Sequence, residues 1–261
     1  MTLAPTGSAA RTRALERAAS NATAALASDT WPDLLADELR ELNATWQESA
    51  QVCADVAWQA RAAGRSALHL LSPEQIIHPS ADPVTARTMR HLYLASLRYD
   101  FRCPSIESLV HKLPEAGRND LDCYSRALCA FALLGQSRTE GLSLMERVLD
   151  EADDHPKTLH VVLHGLWLGH ALPGREEHML ALLARPPFAQ RTDPIALFRE
   201  ANALRGLGRY PSALASIDRA LDLLPPGDLS VHADLVRERS LITASLDAQQ
   251  ISARGASGSP Q

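Results

Sequence analysis

Apolar residues recur three and four positions apart through most of the sequence, and the rhythm breaks at Pro and Gly. Residues 1–10 are expected to be disordered. Ala10 to Ala27 is helical by propensity, with Leu15 and Leu26 as its large apolar residues besides alanine. Trp31-Pro32-Asp33 opens a longer stripe: Leu35, Leu39, Leu42, Trp46, Cys53, Val56 and Ala60, reaching Gly64, with a break expected near Asn43-Ala44-Thr45. Ser66 to Leu71 predicts one more turn. Ser72-Pro73-Glu74-Gln75 is an N-cap, proline and acid sequence that predicts a short helix, closed by His78-Pro79-Ser80.

From Asp82-Pro83 onward the helices come in pairs. Pro83 to Tyr99 buries Met89, Tyr93, Leu94 and Leu97, and Pro104 to Leu113 buries Ile106, Leu109 and Val110. Leu121 to Leu134 follows. Ser137-Arg138-Thr139-Glu140 has the form of a capping box before the stripe Leu142, Met145, Val148 and Leu149. Thr158 to Leu172 and Arg175 to Leu183 form the next pair, ended by Pro186-Pro187. A last helix, Leu229 to about Leu246, is capped by Asp228, and its Asp234, Arg237, Glu238 and Arg239 predict a solvent-facing polar side. Ile251 to Gln261 is a Ser/Gly tail expected to be disordered.

The strongest pair lies between Pro194 and Gly227. Asp193-Pro194 supplies an acidic N-cap and a proline at the first helical position. Leu197, Ala201 and Leu204 form one stripe, and Gly206 and Gly208 are placed to stop that helix. Pro211 reopens a helix that buries Ala213, Leu214, Ile217, Ala220, Leu221 and Leu224, and Pro225-Pro226-Gly227 ends it. One hairpin cannot bury both stripes, so it needs neighbours of the same kind. Leu197, Ala201, Ala213, Ala220 and Pro225 fall on the large, small and closing-proline places of a 34-residue unit, which resembles a tetratricopeptide repeat. Glu200 departs from that pattern, which usually has Leu there. Carried backwards, the register starts units near Arg87, Asp122, Pro156 and Pro194, at spacings of 35, 34 and 38 residues.

The resemblance implies an all-α fold: an α-solenoid of tetratricopeptide-like helical hairpins with an N-terminal helical extension and a C-terminal capping helix. The expected division is 1–81 extension, 82–248 repeat domain and 249–261 tail. It also implies a concave groove lined by the first helix of each unit. On the matching positions that groove holds His91, Ala95 and Arg98; Cys123, Arg126, Ala130 and Leu133; His160, His164 and Trp167; and Phe198, Asn202 and Arg205. Arg98, Arg126, His160, His164, Trp167, Phe198, Asn202 and Arg205 are the candidate ligand-binding set. Arginines pair with carboxylates and aromatics pack on side chains, so the set suits an acidic, extended peptide.

Composition narrows the function classes. At 261 residues with 46% apolar content the chain can bury a sizeable core. A net charge of -5 argues against a dedicated nucleic-acid binder, and no apolar run approaches the ~20 residues of a membrane span. The N-terminus lacks the apolar core of a secretory signal. Cys53, Cys103, Cys123 and Cys129 form no Cys-x-x-Cys pair and are expected as free thiols in a reducing cytoplasm.

His160 and His164 share a helical face, the geometry of a two-histidine metal site, with His170, Glu176, Glu177 and His178 as further candidate ligands. The segment has no acid between the two histidines, so it is not a metalloprotease motif, and no metal or cofactor is expected. Glu176-Glu177 and Asp153-Asp154 are adjacent pairs that point about 100° apart on a helix, a poor arrangement for acid–base work. No nucleophile elbow, phosphate loop or dinucleotide motif is present. The expected function is a non-catalytic intracellular adaptor or scaffold that binds a peptide segment of a partner protein in the groove. The alternatives are a regulator that senses a small molecule or signalling peptide there, and an enzyme with a histidine-centred site using His160, His164 and Arg126. The helices from Ala10 to Gly64, with tryptophans Trp31, Trp46 and Trp58 read as exposed, are the expected dimerisation or groove-covering element.

Overall fold

The protein is described from a computed structural model covering residues 6–63, 65, 83–113, 115–224 and 229–257. The segments expected from Ser66 to Ser80, the Pro225-Pro226-Gly227 terminator and the Asp228 cap lie outside the described residues, as do the side chains of Trp58 and Met89. Every regular element among the described residues is a helix. The chain divides into two compact units, residues 1–128 and 129–261.

The first unit holds α1 (Thr6–Ala24), α2 (Trp31–Glu41), α3 (Trp46–Ala62), α4 (Pro83–Tyr99), α5 (Cys103–Lys112), α6 (Glu115–Asn119) and the start of α7 (Cys123–Gly135). Helix α3 packs against both α1 and α4. That position explains its broad buried face of Ala50, Val52, Cys53, Ala54, Val56, Ala57 and Ala60, with Gln51, Asp55 and Gln59 left on the exposed side. Burial pushes the Cys53 thiol up to about 11. Two of the tryptophans read as exposed are not: Trp31 is 2% exposed and belongs to the core, and Trp46 is half-buried.

The expected break between α2 and α3 is present, with Asn43 at φ 48°. A capping box comes directly after the break. The Thr45 N–H donates to Glu48 Oε2 at 2.8 Å, and the Glu48 N–H donates to Thr45 Oγ1 at 3.3 Å. Arg11 donates to the same carboxylate from Nε and Nη2, at 2.9 and 2.8 Å. Hydrogen bonds from Arg11, then Thr45, hold Glu48 down at about 2.

The second unit holds the rest of α7, then α8 (Glu140–Glu151), α9 (Pro156–Leu168), α10 (Arg175–Leu183), α11 (Pro186–Ala189), α12 (Pro194–Gly206), α13 (Tyr210–Leu223) and α14 (Leu229–Ser257). Asp193 caps α12 as its sequence predicts, its Oδ1 accepting from the N–H groups of Ile195 and Ala196 at 2.8 and 3.0 Å. Gly208 takes the left-handed conformation, φ 70°, after α12. Gly206 instead ends the helix itself, where a side chain would collide with Glu176. Helices α12 and α13 pack on each other, and α14 covers them both. Their shared core is Leu197, Ala201, Ala213, Ile217 and Ala220 from the pair, with Leu235 and Ile242 from α14. Helices α7, α8 and α9 meet almost backbone to backbone. A Cβ on Gly165 would stand 2.7 Å from Phe131 Cα, and one on Gly141 would stand 2.8 Å from the Leu134 nitrogen.

Three local expectations are corrected. The Ser137–Glu140 box does not form: Ser137 sits at φ 57°, and its hydroxyl accepts from the Ala171 N–H at 3.2 Å. Glu238 is not on the solvent side of the last helix but 5% exposed, because it shares a face with Leu235 and Ile242. That helix also runs to Ser257 rather than ending near Leu246, since nothing from Asp247 to Ser257 includes a proline.

Candidate functional site

The candidate residues fall into the two units and are described in each. In the first, Arg98 is 7% exposed, with its guanidinium 5.0 Å from the centre of the Tyr99 ring. Burial lowers its pKa, opposed by the charge of Tyr124 and a hydrogen bond to it. Arg126 Nη1 donates to the Leu121 carbonyl. His91 Nε2 meets Asp122 Oδ2 at 2.5 Å, and the other oxygen of Asp122 accepts from the Ser125 N–H at 2.8 Å near the start of α7.

The second unit repeats this arrangement. His160 on α9 meets Asp193 Oδ2 at 2.7 Å, while Asp193 Oδ1 caps α12. Both histidines hold the acid at the head of a later helix. Burial tends to raise the Asp193 carboxyl, but the hydrogen bonds from His160 and the Ala196 and Ile195 N–H groups outweigh it and leave the carboxyl below its ordinary range. A carboxyl depressed in the folded state adds stability above its unfolded pKa of about 3.9, and that stability is lost as pH falls through the folded value. Asp193→Asn keeps an oxygen for the cap but removes the charge. It is expected to be less stable than wild type at pH 7 and to lose less between pH 5 and pH 2. Urea unfolding at the two pH values measures both; parallel losses in the two proteins would deny the pairing.

The remaining five candidate residues of this unit lie in two adjoining clusters. The aromatic cluster runs Phe131, His164, Trp167, Phe198, with successive ring centres 5.0, 5.8 and 5.8 Å apart. His164 is 6% exposed within it, and Phe198 8%. The Arg199 guanidinium stands 6.0 Å from the Trp167 ring centre. His160 turns instead to Phe188, edge to face at 4.9 Å. The two histidines four apart thus serve different neighbours, and no cluster of three or more metal-ligating side chains occurs among the described residues.

The polar cluster is centred on Asn202, 7% exposed. Its oxygen accepts from Arg175 Nη2 at 3.2 Å, and its Nδ2 donates to Glu238 Oε1 at 3.4 Å. Arg205 grips the same carboxylate side-on, with Nε 2.6 Å from Oε1 and Nη2 3.4 Å from Oε2. Arg175, 6% exposed, also donates to Glu176 Oε1 from Nε and Nη2, at 3.0 and 2.7 Å, and to the Trp167 carbonyl at 3.1 Å. Its Nη1 lies 2.9 Å from His170 Nδ1, so that nitrogen accepts and the ring proton sits on Nε2. The arrangement surrounds one carboxylate with a guanidinium fork and an amide, both on α12, and the amide is oriented by a second, buried guanidinium on α10.

Sequence reasoning selects Asn202 and Arg205 but misses Arg175 and Glu238. Arg175 opens its helix and looks like surface charge. Glu238 carried a usable signal, since it falls between Leu235 and Ile242 on one helical stripe. A cleft of about 200 Å³ lies elsewhere in the unit, among Leu180, Phe188, Leu197 and the Arg191–Glu200 ion pair. Glu200, the residue that departs from the repeat pattern, accepts there from Arg191 at 2.6 Å and from the Ser216 hydroxyl at 2.7 Å. No helix among the described residues is long and apolar enough to cross a membrane. The chain matches no protein-family model, no curated protein and no solved structure.

Proposed function

We propose that the protein is a non-catalytic, intracellular interaction protein of tetratricopeptide-like helical pairs, and that its second unit binds a carboxylate-bearing segment of a partner protein. The observation that carries this reading is the Asn202–Arg205 pair, already closed around a carboxylate and held in place by Arg175. Such a receptor is expensive to build for stability alone, because two charges must be desolvated to make one pair. The aromatic cluster from Phe131 to Phe198 supports the reading as a rigid neighbouring surface for apolar side chains. The packing of α9 on α12, and of each on the helix that follows within its pair, is what stacked hairpins would give.

Affinity capture from the source cells, comparing wild type with Arg205→Glu, tests the proposal. A specific partner retained by the wild type and lost with Arg205→Glu is the expected result. A partner retained equally by both, with the variant folded by circular dichroism, would overturn the carboxylate site. The cleft beside Arg191 and Glu200 favours a second reading, a small-molecule sensor, which predicts a ligand-dependent rise in melting temperature that Leu197→Trp removes.

A further inference from the structure

The carboxylate in the receptor belongs to the chain's own last helix. Glu238 is 5% exposed at the middle of the inner face of α14, flanked by Leu235 and Ile242, both fully buried. Resting on the reading above, we propose that α14 is a built-in competitor: it fills the site with a Leu-x-x-Glu-x-x-x-Ile face, and the partner is an acidic amphipathic helix that presents the same face and replaces it.

Two features of α14 set it apart from a permanent cap. The centre of its contact is a carboxylate, where an apolar side chain of similar volume would hold the helix at least as well, because pairing a buried carboxylate only partly offsets its desolvation. Such a group specifies what may dock, and in which register, more than it adds stability. The outer face keeps the polar residues of a capping helix, Asp234, Arg237 and Arg239 among them, but it also leaves Val236 42% exposed, Leu241 43% and Ile251 70%, while the acid is inside. The charge complementarity names the partner's chemistry. Arg205 and Asn202 both donate, and Arg175 behind them keeps the Asn202 oxygen turned away from the ligand. The spacing supplies the rest: among the described residues of α14, Leu235, Glu238 and Ile242 are the three that are fully or nearly fully buried, at i, i+3 and i+7 of one helical face.

The probe is a fluorescein-labelled peptide with the sequence of residues 229–252, titrated by anisotropy into full-length protein. In the wild type the tethered helix competes at an effective concentration in the millimolar range, so the peptide should bind weakly. Glu238→Lys sets a cation against Arg205 and frees the site, and should tighten peptide binding by on the order of tenfold or more. Glu238→Gln serves the same purpose if the lysine variant does not fold. Adding Arg205→Glu to either variant should abolish the gain, as should a Gln in place of the peptide's own Glu238. Equal, Arg205-dependent binding to wild type and opened protein would overturn self-occupation and leave the carboxylate receptor standing. Binding that ignores Arg205→Glu, or no binding to a folded opened variant, would overturn both. A wild-type dimer that Glu238→Lys converts to monomer would show that the competitor serves a second copy of this chain, and would overturn the partner-helix assignment.

Discussion

Arg175→Met is expected to destabilise the second unit by about 3–5 kcal/mol, the cost of removing one partner from a buried ion pair. The methionine fills most of the volume but supplies no donor. Glu176 then loses both of its guanidinium bonds in a position where its side chain is 24% exposed. The Asn202 oxygen, the Trp167 carbonyl and His170 Nδ1 each lose a donor as well. Asn202 is buried and an unsatisfied buried acceptor costs about 1–3 kcal/mol by itself, whereas His170 is exposed and can turn to water. Urea unfolding followed by circular dichroism measures the change as a lower midpoint at unchanged slope. The double variant Arg175→Met/Glu176→Gln should recover part of the loss, because it removes the uncompensated charge while leaving the neutral acceptors unpaired. A single-variant loss below about 1 kcal/mol would mean that water satisfies these groups as well as Arg175 does, and that Asn202 is not held in place for a ligand.

The features that sequence made legible are those whose partners lie within one helical turn. Asp193 caps α12 through residues two and three positions on, so its type and place announce the bond. The stripes of α12 and α13 are legible for the same reason, since periodicity alone says which residues face inward. Local reading still erred where backbone conformation decided. Ser137-Arg138-Thr139-Glu140 has the composition of a capping box, but Ser137 turns left-handed and spends its hydroxyl on Ala171, 34 residues away. Thr45-Trp46-Gln47-Glu48 has the same composition and does form the box, hidden in the sequence because Trp46 continues the apolar stripe of the preceding helix.

The candidate site was half legible for a different reason. Asn202 and Arg205 follow from a helical register, but what they hold does not. Arg175 comes from 27 residues before Asn202, and Glu238 from 36 residues after it. No spacing rule joins groups that far apart, so only the structure brings Arg175 and Glu238 to Asn202 and Arg205. The two His–Asp caps lie between these extremes. His91 and His160 are separated from their acids by 31 and 33 residues, close to the spacing expected of the repeat. A histidine on one helix and an acid at the head of a later one, at nearly equal spacings in the two units, is thus a pattern that the sequence could have exposed.

Phe131→Ala should cost about as much as the loss of Arg175, but through a cavity. Phe131 is fully buried on α7, with its ring 5.0 Å from that of His164. The cost of such a deletion depends on how far the walls can collapse, and here they cannot move far. Gly165 on α9 already lies against the backbone of Phe131, so the two helices cannot close further to fill the space. A loss within the range of about 3–5 kcal/mol for a phenylalanine deletion is therefore expected. Gly165→Ala tests the other half of the argument. Its methyl group would meet Phe131 Cα at 2.7 Å and the Leu134 side chain at 3.1 Å, and it should cost about 1–3 kcal/mol by forcing the helices apart. The Phe131 contacts of that methyl are with backbone, not with the ring. The double variant Phe131→Ala/Gly165→Ala should therefore show no rescue, its loss at least the sum of the two. Recovery of more than about 1 kcal/mol in the double variant, read from urea midpoints in the same buffer, would show that α7 and α9 can shift to share the space. The aromatic row from Phe131 to Phe198 would then be an adaptable surface rather than the rigid platform beside Asn202 and Arg205 that the proposed function requires.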